Sequence, residues 1–267
     1  MCLIVWAWQA HPDYPLVLVA NRDEFHARPT SPASFWPEAP QLLAGRDQLA
    51  GGTWLGVTRR QRFAALTNFR DPSQFQRVRR TRGELVTHFL QADTPPLHWL
   101  HDQLPHLDQY NDFNLLVAEG TQLYCLESRY ARIQLVAPGI HGLSNHLLDT
   151  PWPKVESSRQ WLANYLARLQ PAHHTAAAPG GAGSMTEVLQ HLIGLLHDPQ
   201  PFPDDRLPHT GIPLERERLL SAPFILDPEY GTRCTTALLW RRDGTTGFME
   251  ERYEPSGARC GLSQFWI

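Results

Sequence analysis

Cys2 stands directly behind the initiator methionine, at the head of the apolar run "MCLIVW". Removal of Met1, expected because cysteine is small, would leave a thiol and a free α-amine on one residue. A thiol titrates near about 8.5 and an α-amine near about 7.7 to 8.0, so at neutral pH the amine can take the thiol proton, directly or through a water. Nucleophile and base would then be one residue. By position alone Cys2 also fits a small core residue at the start of a strand.

The next apolar run, "PLVLVANRDE", closes on four polar residues: Asn21, Arg22, Asp23 and Glu24. A carboxylate there can hold an ammonium, and an arginine can depress a thiol pKa or bind a substrate carboxylate. A solvated salt-bridge cluster at a strand end is the plainer reading. Asn68 in "ALTNFRDP" and Asn145 in "HGLSNHLL" also end apolar runs. An amide donor with a backbone N–H is what acyl transfer needs to stabilise a developing oxyanion, one donor being worth roughly 10² to 10³ in rate. As isolated asparagines they are equally turn residues. Arg233 in "YGTRCTT" begins a late strand and could meet the same site.

These side chains need elements to bring them together. "CLIVWAWQ" and "PLVLVANRDE", separated by "AHPDYP", predict an antiparallel hairpin that would carry Asn21 to Glu24 back to Cys2. "RPTSPASFWPEAP" reads as a proline-rich loop, and "GGTWLGVT" with "RFAALTNF" as a second hairpin turning at residues 59–61. Residues 81–90 predict a helix with Thr81 as its cap, and 152–169 and 185–197 two more. Strands return at 113–145 and close the chain, with an Asp243-Gly244 turn. The low-complexity "HHTAAAPGGAGS" reads as a connection, and the proline-punctuated 201–231 as a long loop that walls or lids a site. Strand-rich ends around central helices, joined by hairpins, argue for an α+β layered fold with antiparallel sheets.

Composition narrows the function classes. With 267 residues, 42% hydrophobic, and nine tryptophans, the chain can bury a large core as one domain. A formal charge of -3 makes no electrostatic case for nucleic acid or an anionic membrane surface. The cations are arginines except for Lys154. The four cysteines form no C-x-x-C pair, and no stretch approaches the roughly 20 apolar residues that span a bilayer, so a reduced, cytoplasmic setting is expected. The thirteen histidines, including the doublet at 173–174, lack metal-ligand spacing. His26 and His146 stand near the proposed site in sequence, and Trp54 and Trp152 could line an apolar pocket or fill a core.

Taken in order, MCL, NRDE, GGTWLGV, ALTNF, TRG, GLSN followed by DTPWPK, and YGTR make the chain resemble the NRDE family, the transport-and-Golgi-organisation proteins. The resemblance covers a single domain over 2–267, apart from the loop at 171–184 and the last dozen residues. It implies the fold of amino-terminal nucleophile hydrolases, a four-layer αββα sandwich of two packed antiparallel sheets. It also implies Cys2 as nucleophile, assisted by Arg22 and Asp23, with either Asp23 or Glu24 holding the terminal amine. Asn145 and the Phe69 N–H would form the oxyanion hole, and Asn21, Glu24, Asn68 and Arg233 would contact substrate. Cys234, where the family usually has serine, would be a small buried residue. The activity implied is hydrolysis of a small acyl amide, with no cofactor. The rival is carriage of haem or an acyl lipid without turnover, Cys2 or His26 then serving as ligand.

Overall fold

The structure is a computed structural model that describes residues 2–74, 79–169 and 184–267. The predicted hairpin is β1 (Cys2–Trp8) with β2 (Leu16–Phe25), in a register that sets Cys2 opposite Arg22 and Leu3 opposite Asn21. β10 (Gly139–Leu143) flanks β1, and β11 (Tyr230–Trp240), β12 (Thr246–Tyr253) and β13 (Arg259–Trp266) continue from β2. Together they make an antiparallel sheet in the order β10-β1-β2-β11-β12-β13.

The second sheet runs in chain order through β3 (Thr30–Trp36), β4 (Ala39–Asp47), β5 (Leu55–Thr58), β6 (Arg62–Asn68), β7 (Phe113–Glu119), β8 (Gln122–Glu127) and β9 (Arg132–Leu135). Its first two strands replace the expected loop at 28–40. The prolines misled because Pro32 is tolerated where it sits, on the outer strand and inside the register shift between Ser31 and Ser34, where no ladder hydrogen bond is lost.

Alternation at period two sorts each strand between two cores. Ile4, Trp6, Trp8 and Leu18 meet Val57, Phe63, Ala65 and Leu116 between the sheets. Leu3, Val5, Val17 and Val19 face outward onto α3 (Pro153–Leu166) and α4 (Met185–Leu195). On the other outer face α1 (Gly83–Gln91) and α2 (Pro96–Gln103) cover Ala64, Leu66, Leu115 and Val117. The result is the four-layer αββα sandwich expected. Each large apolar side chain so enclosed contributes about 1.5–3 kcal/mol.

Local signals explain the helices. Pro153 opens α3 with its ring-fixed φ, and Ser184 with Glu187 forms a capping box on α4. The cap of α1 is Arg82, not Thr81, and it makes no side-chain capping bond. The proline-punctuated stretch contains a helix that the sequence reading missed, α5 (Leu214–Ser221). Among the described residues no helix is long and apolar enough to cross a membrane. Met1 and the histidine doublet lie outside the described residues.

Candidate active site

At one end of the sandwich the sheets part around a cavity of about 300 Å³ with Cys2 in its wall. Cys2 shares the inter-sheet face of β1 with Ile4 and Trp6, and it is half-buried where they are enclosed. Its β2 partner Arg22 faces the same way, 5% exposed, with the guanidinium 4.2 Å from the Trp54 ring centroid and donating to Thr30 Oγ1 at 3.2 Å. Burial pushes the Cys2 thiol up and Asp23 adds to this, while the Arg22 charge and a hydrogen bond from the Asp23 backbone N–H pull it back. A nearby cation and an amide donor are the features that stabilise a thiolate.

Arg82 and Asn68 complete the wall, and two glycines explain how Arg82 gets there. A Cβ on Gly52 would stand 2.5 Å from the Gly83 carbonyl carbon, so only glycine lets these backbones touch. The Thr53 N–H to Gly83 carbonyl bond, 3.3 Å, fastens the contact. The start of α1 is thereby docked on β5, and Arg82 lines the cavity. Its guanidinium donates to the Asp112 carbonyl at 3.2 Å and, among the described residues, forms no carboxylate ion pair. Burial lowers its pKa, with Glu24 and Cys2 opposing. Arg28 by contrast is held by Asp47 at 2.7 Å.

A second cavity, of about 440 Å³, adjoins the first and shares Glu24, Asn68, Arg82 and Asn111 with it. Its other walls include Phe25, Phe69, Ile212, Leu220 and Tyr230 beside Arg70, Asp71 and Arg216, so it is more apolar than the first. Ile212 and Leu220 come from the segment around α5. The stretch read as a loop therefore contributes a helix to the wall of this cavity.

Behind β2, on the helix-covered face, lies a buried polar group. The Asp23 carboxylate accepts from Thr232 Oγ1 at 2.7 Å, and its carbonyl accepts from the Tyr230 hydroxyl at 3.0 Å. Burial raises the Asp23 carboxyl, against the pull of the Lys154 charge and the Thr232 hydroxyl. Lys154 is 2% exposed and donates to the Leu220 carbonyl at 2.8 Å. Burial brings its ammonium down to about 8. Beside it Arg70 and Glu217 form an enclosed ion pair at 2.6 Å.

A model of the family described as Transport and Golgi organisation 2 matches residues 1–255. The chain belongs to the Transport and Golgi organisation 2 family. It is 36% identical to the Transport and Golgi organization protein 2 homologs of Bos taurus and Homo sapiens, over 94% of this chain and 92% of theirs. The Drosophila melanogaster protein is 28% identical over the same shares. Among solved structures, a Caenorhabditis elegans N-acylethanolamine-hydrolyzing acid amidase ortholog aligns with a TM-score of 0.47 at 8% identity, covering 89% of this chain and 92% of its own. A mutant conjugated bile acid hydrolase from Clostridium perfringens aligns at 0.44 and 10%, covering 99% and 92%. The family match leaves out the last dozen residues, as the motifs do.

In this Transport and Golgi organisation 2 member, Cys2, Arg22, Asp23, Glu24 and Asn68 all line the arginine-rich cavity. Four other residues read from the sequence sit differently. The Phe69 N–H is committed to the Asp112 carbonyl at 3.0 Å, extending the β6–β7 ladder, so it is not a free oxyanion donor; the Phe69 ring walls the second cavity instead. Asn145 is fully buried, and its amide donates to the Asn68 carbonyl at 2.9 Å, which makes it a brace for Asn68. Its neighbour Ser144 donates to the Cys2 carbonyl at 3.1 Å. Asn21 is buried on the far face, bonded to the Leu196 and Pro223 carbonyls and to Thr235. Arg233 caps the Phe25 and Arg28 carbonyls at 3.0 and 2.9 Å and lines neither cavity.

Cys234 is buried, as expected. His26 and His146 line neither cavity; they bond the Asp227 carbonyl and Thr150 Oγ1. Trp54 stacks on Arg22 in the site, whereas Trp152 packs in the helix-side core. Arg82 is a cavity residue that the sequence reading passed over; it lay in plain sight in "TRG", where no local pattern marks it. Among the described residues no cluster of three or more histidine, cysteine, aspartate or glutamate side chains could hold a metal ion.

Proposed function

We propose that the chain is an amidohydrolase of the amino-terminal nucleophile type, acting on a small acyl amide through Cys2 after loss of Met1. The observation that carries this reading is the placement of Cys2. It is half-buried, on the wall of a cavity shared with Arg22, Asn68 and Arg82, whereas Cys125 is wholly enclosed in the core. In this reading the Cys2 α-amine takes the thiol proton, and the thiolate attacks the amide carbonyl carbon. Asn68 and Arg82, which line the same cavity, would supply the donors for the oxyanion. Collapse expels the amine, which receives the proton held by the α-amine, and leaves a thioester on Cys2. Water then attacks the thioester and returns the free thiol and a carboxylic acid.

The paired cavities support a substrate with two unlike ends. An apolar acyl arm fits the space between Phe69, Ile212, Leu220 and Tyr230. An anionic leaving amine fits beside Arg22 and Arg82, where a carboxylate or phosphate would be held by charge-assisted hydrogen bonds. The test is turnover of a panel of N-acyl amides, with and without an acidic group on the amine, by wild type and Cys2→Ala. Intact mass is measured on the active preparation. Turnover that requires Cys2, favours the acidic amines and goes with a chain lacking Met1 supports the reading; activity in protein that retains Met1 overturns the mechanism.

Carriage of haem or an acyl lipid without turnover has less behind it, because no histidine lines either cavity among the described residues, which leaves Cys2 as the ligand. A haemin titration of wild type and Cys2→Ala separates the two. A saturable Soret shift lost in the variant, with no acylation of Cys2, favours carriage.

A further inference from the structure

We infer that Ser144 and Asn145 are positioning residues: they clasp the two sheets together at the cavity and set the distance between Cys2 on one sheet and Asn68 on the other. This rests on Cys2 being the nucleophile. Neither residue lines the cavity, so neither touches substrate in this account.

Cys2 belongs to the six-stranded sheet and Asn68 to the seven-stranded one. Deeper in the sandwich, Ile4 and Trp6 pack with Phe63 and Ala65 between the sheets, and close packing fixes the separation there. At the cavity that apolar filling stops, and polar bonds replace it.

The residues after β10 supply them. The ladder between β10 and β1 ends with Leu143 opposite Ile4, and the chain then crosses to the other sheet. Ser144, 2% exposed, donates its hydroxyl to the Cys2 carbonyl at 3.1 Å and lies 3.3 Å from Asn145 Oδ1. Asn145, fully buried, donates its side-chain amide to the Asn68 carbonyl at 2.9 Å, and its own carbonyl accepts the Arg70 N–H at 2.7 Å. The His146 carbonyl accepts from the Asn114 amide on β7 at 2.7 Å, and that amide also reaches Thr67 Oγ1 at 3.0 Å. Three consecutive residues thereby hold both sheets. Two of the bonds end on the backbone carbonyls of Cys2 and Asn68 themselves, which a clasp serving stability alone would not require. A shift of about 1 Å at a reacting centre can cost about a hundredfold in rate, so these bonds bear on addition to a carbonyl more than on the thiol itself.

The experiment compares two reactions of Cys2. In acetylation by p-nitrophenyl acetate the thiolate adds to the ester carbonyl, the oxyanion collapses, p-nitrophenolate leaves with the electron pair of its C–O bond, and a thioester remains. In alkylation by iodoacetamide the thiolate displaces iodide, and no oxyanion forms. The first is read as the burst of p-nitrophenolate, with Cys2→Ala as the blank, and the second by peptide mass spectrometry. Both are run on wild type, Asn145→Leu, Ser144→Ala and Ser144→Thr, with tryptophan emission confirming the fold. Asn145→Leu is expected to acetylate about thirtyfold more slowly while its alkylation stays within about twofold of wild type. Ser144→Ala should slow acetylation about fivefold, and Ser144→Thr, which keeps the hydroxyl, should recover it. If Asn145→Leu does not fold, the Ser144 pair decides. Acetylation and alkylation that fall together, or that both match wild type, overturn the inference alone, as does a Ser144→Thr no faster than Ser144→Ala. A wild-type Cys2 that neither reagent modifies while the exposed Cys260 is alkylated overturns the nucleophile reading, and this inference with it.

Discussion

Asn21, Arg22, Asp23 and Glu24 read as one polar block, yet the pleat of β2 divides them between two sides of a sheet. Arg22 and Glu24 look into the space between the sheets, where Arg22 lies over Trp54 and both line the cavity of Cys2. Asn21 and Asp23 send their side chains toward the helices, into hydrogen bonds with Leu196, Pro223, Thr235 and Thr232. One side walls the cavity; the other ties the strand to its neighbours, with Asp23 reaching the cavity edge as well. The contrast teaches that a four-residue motif can carry a site and its foundation at once, at period two.

Substitutions on the two sides of β2 should therefore separate reactivity from stability. The largest effect is expected from Cys2→Ala, which removes both alkylation at this position and turnover. Asn21→Ala follows, on the foundation side: it strands two buried carbonyls and the Thr235 hydroxyl, so unfolding free energy should fall by about 3 kcal/mol, read as a drop in Tm of several degrees. The Cys2 alkylation rate of the folded variant should stay within about twofold of wild type. If rate and Tm fall together, the division between the faces is wrong.

Lys154 sharpens the same contrast through pH. Its ammonium is held down at about 8 from 10.5, so below pH 8 the folded state carries a buried charge that the unfolded state carries in water. Between about 8 and 10.5 the unfolded chain binds the proton and the folded chain does not, so stability rises with pH through this window. Wild type should gain up to about 3 kcal/mol relative to Lys154→Met from pH 7 to pH 10, measured by urea unfolding. Parallel pH curves for the two proteins would remove the buried cation from the account.

Arg22→Ala, on the cavity side, is expected to slow Cys2 alkylation at pH 7 by about tenfold, because the guanidinium favours the thiolate, with a smaller loss in Tm than Asn21→Ala. The smallest effect expected is at the rim. Asp71 is held at about 2 by the Ser73 hydroxyl and N–H and by Arg129, so it contributes stability above pH 4 that disappears as pH falls toward 2. This group is close to solvent, and Asp71→Asn should shift Tm at pH 7 by no more than a degree or two.

Much of this was legible in the residues. The apolar runs with period two, the turn residues between them and the helical spacing in 152–169 determine the hairpins and helices, because local burial patterns need no knowledge of distant partners. The hairpin alone puts Arg22 opposite Cys2. The same local logic failed at Pro32, whose missing N–H is harmless only on an edge strand, and an edge exists only once the sheet is assembled. It failed again at Phe69, where an N–H that looks free in "TNF" is claimed by Asp112, more than forty residues away in sequence.

Tertiary structure decided the site in the places where two distant segments compete for one group. Asn145 reads as a donor but is spent on the Asn68 carbonyl, and that leaves Asn68 to line the cavity. Arg82 becomes part of the wall only because Gly52 and Gly83 let two backbones meet, and Lys154 is enclosed only because α3 docks on β10 and β1. Which residue types could do chemistry is written in the chain, since ionisation and nucleophilicity belong to the side chain. Which of them face one another, and which are already hydrogen-bonded, depends on packing between elements far apart in sequence, and only the assembled sandwich settles it.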